Sequence, residues 1–90
     1  MTFNFPEIKF VKDNTLVEQV RHMREELEEL EEAIVLQECR DRVTEEAMDL
    51  LHSTETFLRM MREDGVNLDE RSRFVTKKNT FRGYYSDPQS

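Results

Sequence analysis

Two short acidic stretches hold the side chains best suited to chemistry. Residues 25–32 read EELEELEE and residues 45–52 read EEAMDLLH. Within them Glu26 and Glu29 stand three positions apart, and so do Glu46 and Asp49. On an α-helix, at ~100° per residue, that spacing sets two side chains on one flank, roughly 60° apart. Four carboxylates gathered in one place repel, and burying part of that charge uncompensated costs on the order of several kcal/mol. A divalent cation removes the cost. Oxygen-only ligands select a hard ion, and Mg²⁺ commonly takes a few carboxylates, leaving its other positions to water and substrate phosphate; Mn²⁺ can substitute. The carboxylates thus point to phosphate chemistry.

The elements that must position these acids follow from apolar periodicity. Leu16, Val20, Met23, Leu27, Leu30 and Ile34 recur at alternating spacings of four and three behind a Thr15/Glu18 capping box, which predicts a helix over 15–38. Val43, Ala47, Leu50, Thr54, Phe57 and Met61 repeat the pattern up to Gly65, predicting a second helix over 42–63 with Asp41 as its cap. The segment between them, ECRDR, reads as a tight turn. Asn67 with Glu70 marks the start of a shorter third helix, from Leu68 to about Asn79, with Leu68 and Val75 facing inward.

The expected fold is all-α, an antiparallel hairpin plus a shorter helix in one domain. Residues 1–14 form an N-terminal arm whose Phe3, Phe5, Ile8 and Phe10 pack on the helical body. Residues 15–64 are the carboxylate-bearing hairpin, 67–85 the third helix and basic tail, and 86–90 a frayed end.

When both long helices are placed on heptads, Leu27 and Leu30 take positions a and d, as do Ala47 and Leu50. Glu26 and Glu46 then share position g, and Glu29 and Asp49 share position c. Ala33 and Ser53, one heptad beyond the g acids, keep that flank small. Antiparallel packing, favoured by the short connection, brings the two flanks together. Composition alone does not separate Glu26/Glu29 from Glu28/Glu31, because Glu is a strong helix former and this helix is rich in it. Register favours the first pair, since Glu31 falls on the opposite flank and Glu28 and Glu32 point away.

Bulk properties narrow the alternatives. Thirteen basic and twenty acidic residues give a net charge of −7, which argues against a nucleic-acid or membrane-surface binder and is compatible with a cation site. Ninety residues make a marginal core, so a partner chain is expected. Cys39 is the single cysteine and reads as a small residue near a helix end. The opening MTFNFPEIKFVK lacks the pattern of a secretory signal, no stretch approaches a membrane span, and a cytoplasmic location is expected.

Taken together, these residues resemble the MazG-like family of all-α nucleoside triphosphate pyrophosphohydrolases. That family's EExxE and ExxD elements are matched by Glu25-Glu26-Leu27-Glu28-Glu29 and, sixteen residues on, Glu46-Ala47-Met48-Asp49. The tail KKNTFRGYY is similar to a K-N-x-x-R-G-Y-Y segment of small members, so the resemblance covers residues from about 15 to 85. It implies Mg²⁺-dependent hydrolysis between the α and β phosphates of an NTP or dNTP, giving a nucleoside monophosphate and pyrophosphate, in nucleotide-pool control or house-cleaning. Glu26, Glu29, Glu46 and Asp49 would be the metal ligands, and one of them, or Glu25, would orient the attacking water. Lys78, Asn79, Arg82 and Tyr84 would bind the substrate. The family's dimers and tetramers imply a homo-oligomer with a four-helix core shared between chains.

Other readings of the same residues are a noncatalytic helical interaction protein, or a family member that binds nucleotide without hydrolysing it. His22 shares position c with Glu29 and reads as polar surface, while Met23, Met48, Met60 and Met61 read as core filler.

Overall fold

Thr15 starts the helical body as expected: its hydroxyl accepts the Glu18 backbone N–H at 3.1 Å and donates to the Glu18 carboxylate at 3.0 Å. In the computed structural model, which describes residues 1–9 and 13–86, α1 runs Leu16–Val35, α2 Arg40–Glu63 and α3 Leu68–Phe81. Among the described residues there is no strand, and no helix is long and apolar enough to cross a membrane.

Each helix stops in the same way. Gln37, Gly65 and Gly83 have positive φ (55°, 93° and 76°), and the next residue donates its N–H five positions back, Glu38 to Ala33, Val66 to Met61 and Tyr84 to Asn79. This is the closure that satisfies the last helical carbonyls, and it suits glycine because a side chain strains the left-handed conformation. Gln37 carries that strain in the α1–α2 turn, a position the sequence did not flag. The second helix begins at Arg40, with Cys39 rather than Asp41 at the cap and no side-chain capping bond. The early stop of α1 frees enough chain for α2 to start two residues sooner than the apolar seam suggests.

Gln19 faces Ser53 and Glu26 faces Glu46, a pairing that runs backwards along α2 and makes the hairpin antiparallel. Gln19 donates through Nε2 to both the Ser53 carbonyl and hydroxyl, at 2.9 and 3.1 Å, and its own Oε1 accepts from Asn14 at 3.0 Å. Full burial of the Gln19 amide is tolerated because these groups are paired.

Only part of the a/d seam turns inward. Position d and the g flank form the contact: Gln19 and Ala33 of α1 and Ser53 of α2 are buried, and Met23, Leu30, Val43 and Leu50 are half-buried. The a side stays open, with Val20, Leu27 and Ile34 at 40, 52 and 58 % exposure. A single neighbouring helix covers only part of an apolar stripe this wide. In an antiparallel pair touching through d and g, the a/e sides of both helices face the same way and the c sides face the opposite way. The hairpin therefore has one uncovered apolar face and, behind it, one acidic face.

The arm does pack on the body, as expected for Phe3, Phe5 and Ile8, all half-buried; Phe10 lies outside the described residues, as do the last four residues of the expected frayed end. The Phe5 ring stacks on His52 with centroids 4.7 Å apart. Glu55 accepts the backbone N–H groups of Asn4 and Phe5 at 2.9–3.0 Å, and Arg59 donates to the Phe5 carbonyl at 2.9 Å while lying over the Phe3 ring at 4.4 Å.

α3 starts where predicted, with Asn67 Oδ1 accepting the Glu70 N–H at 3.0 Å, and continues two residues beyond the expected end. Leu68 is buried, but Val75 is exposed, contrary to expectation, because α2 is the one helix that α3 touches and the arm reaches α3 only at its start, where the Met1 ammonium pairs with Asp69. The radius of gyration, 15.7 Å, exceeds the ~12 Å expected of a compact chain of this length, as a third helix standing off the hairpin requires.

Candidate metal centre

The acidic face gathers Glu26 of α1 with Glu46 and Asp49 of α2. One carboxylate oxygen from each lies within 4.8 Å of the others. The local reason is register: the g positions of an antiparallel hairpin meet across the contact, and Asp49, one turn along α2 from Glu46, sits on the adjoining c flank. Glu26 and Glu46 are only 15 and 13 % exposed at the side chain, whereas Asp49 is open to solvent.

The charges are incompletely balanced. Arg42 donates to Glu46 Oε1 at 3.1 Å and to Glu45 at 2.7 Å, and His22 Nε2 lies 3.3 Å from Glu26 Oε1. The second Glu46 oxygen, Oε2, is buried without a hydrogen-bond partner. Burial, then the neighbouring Glu29 charge, push the Glu26 carboxyl above its ordinary value; Asp49 adds to the rise and His22 opposes it. A lone pair buried without a donor, beside carboxylates that repel one another, is a donor set suited to a hard cation.

Of the residues singled out in the sequence, Glu26, Glu46 and Asp49 come together. Glu29 is exposed and acts on Glu26 through its charge, outside the three-oxygen cluster. Glu25 is 70 % exposed at the side chain, 3.9 Å from His22 Nδ1. Lys78, Asn79, Arg82 and Tyr84 lie on α3 and the turn after it. Among the described residues none of the α3 cations is ion-paired with the cluster, and α3 does not touch α1. Phe74, Lys77, Lys78, Phe81 and Arg82 instead line an open pocket of their own.

Arg42 was missed as a neighbour of the site, and His22, placed at position c but read as polar surface, turns out to meet Glu26. Each stands four residues before the carboxylate it meets, a helical spacing that could have revealed both.

No protein-family model, no curated protein and no solved structure matches the chain.

Proposed function

We propose that the protein is a Mg²⁺-dependent nucleoside triphosphate pyrophosphohydrolase, working as a homo-oligomer with a four-helix core. The observation that carries this reading is the convergence of Glu26, Glu46 and Asp49, with Glu46 Oε2 buried and unpaired. A cation held there supplies polarisation of phosphate oxygens and a lowered pKa for an attacking water. Glu26 and Glu46 would hold the cation from the two helices, whose contact sets the spacing of their carboxylates. Asp49, which is open to solvent, would complete the donor set. Glu29 completes the acidic rim, and Glu25 remains a candidate for orienting water.

Lys78 and Arg82 neutralise the nucleotide phosphates in this reading, and Asn79 and Tyr84 bond to phosphate, sugar or base. Their position away from the cluster means that α3 closes toward the hairpin or serves a neighbouring copy. The uncovered apolar face favours one rival, a noncatalytic interaction protein whose acids are surface.

One experiment separates them: incubate the protein with a panel of NTPs and dNTPs, with Mg²⁺ or chelator, and measure monophosphate and pyrophosphate. Mg²⁺-dependent pyrophosphate release that disappears in a folded Asp49→Asn variant is expected. A folded protein that releases none from any nucleotide favours the interaction reading.

A further inference from the structure

The open stripe of α1 is matched to a second copy of itself. Val20, Leu27 and Ile34 recur every seven residues along it, with Leu27 midway. Charge along the same helix is segregated. Before residue 25 it carries Arg21 and Arg24 against Glu18, whereas from Glu25 to Glu32 it has six acids and no base. Two such helices laid parallel set acid against acid; laid antiparallel, each basic half lies on the other's acidic half.

Centring the antiparallel pair on Leu27 sets Val20 of one copy against Ile34 of the other. Arg24, at position e, then lies opposite Glu31 of the second copy, also at e. Among the described residues neither Arg24 nor Glu31 has an ion-pair partner within its own chain. An open groove lined by Leu16, Val17, Val20, Arg21, Arg24 and Phe57 lies at the start of the stripe, where this register delivers the exposed Ile34 and Val35 of the second copy.

We propose that the chain forms a twofold dimer through antiparallel α1 helices centred on Leu27, with Arg24 of each copy facing Glu31 of the other. This rests on the homo-oligomeric part of the functional reading and is independent of its cation chemistry. The acidic face lies behind the apolar one, so each copy keeps its carboxylate cluster open on an outer surface.

The test uses disulfide trapping in a Cys39→Ser background. Leu27→Cys places two thiols across the axis and is expected to give mostly covalent dimer on mild oxidation, whereas Glu32→Cys, on the side of α1 away from the stripe, gives little. A charge exchange covers the case in which Leu27→Cys perturbs folding. Arg24→Glu is expected to weaken dimerisation by about tenfold or more in analytical ultracentrifugation, and adding Glu31→Arg to the same chain to restore it. A monomer at all concentrations, equal trapping at 27 and 32, or no rescue by the double exchange overturns the proposal. None of these readouts depends on nucleotide turnover, so a failed dimer and a failed enzyme are told apart.

Discussion

Glu26 and Glu46, contributed by different helices, hold carboxylate oxygens within 4.8 Å of each other although both side chains are more than four-fifths covered. Like charges at that separation oppose the hairpin contact that creates them. Removing one charge should therefore relieve the fold and harm the site together. Glu26→Gln is expected to raise the melting temperature without metal and to lower Mg²⁺ affinity by about tenfold or more, roughly 1.4 kcal/mol. Thermal denaturation with and without Mg²⁺ checks both at once. A variant less stable than the parent in chelator contradicts the repulsion argument.

The same site has a defined pH dependence. Burial and the Glu29 charge raise the Glu26 pKa in the folded state above its ordinary value of 4.5. The folded chain then binds this proton more tightly than the unfolded chain, so Glu26 lowers stability as pH rises from about the unfolded value through the folded one. Cation affinity moves the other way, falling as acid protonates the ligand. Glu26→Gln should flatten the stability change in that window.

How much of this was legible follows from which forces are local. The caps at Thr15 and Asn67 and the stop at Gly65 were readable because they depend on neighbours within a few residues. The meeting of Glu26, Glu46 and Asp49 was readable because heptad register carries from one helix to the next. Which half of the seam turns inward was not. Leu27 and Leu30 look equivalent in the sequence, yet only Leu30 is half-buried, since one partner helix cannot cover both sides of the stripe. The arm's anchors were hidden for another reason: Glu55 and Arg59 meet Asn4 and Phe5 across about fifty residues, and no periodicity announces such contacts.

Those anchors give a separate prediction. Burial works to raise the Glu55 carboxyl, but the Asn4 and Phe5 backbone N–H groups, the Asn4 side chain and the Arg59 charge outweigh it and hold the carboxyl below its ordinary range. A lowered folded-state pKa contributes stability that is present above the unfolded value and lost as pH falls through the folded one. The arm should accordingly stay docked at neutral pH and release in acid, below the ordinary carboxylate value. Glu55→Ala should release it at all pH values, because the Asn4 and Phe5 backbone donors lose their acceptor and Arg59 loses the neighbouring negative charge. The amide resonances of Asn4 and Phe5 report both changes, and an arm that stays docked in Glu55→Ala refutes this account.

Leu68 decides whether α3 acts with the hairpin or apart from it. It is the one buried residue of α3, at 6 % exposure, and α2 is the one helix α3 meets, beside an exposed ion pair between Asp69 and the Met1 ammonium of the arm. Leu68→Ala removes that anchor at a cost of about 2 kcal/mol or more by the usual large-to-small rule, less if α3 relaxes onto the smaller side chain. The hairpin and its acidic cluster should survive, because none of their contacts passes through α3. Mg²⁺ affinity is therefore expected to stay within about twofold, a change under 0.5 kcal/mol. If α3 carries the phosphate-binding cations, KM for nucleotide should rise while metal affinity holds. Calorimetric Mg²⁺ titration beside steady-state kinetics makes the comparison, and parallel loss of metal and nucleotide binding would show that α3 supports the cluster itself.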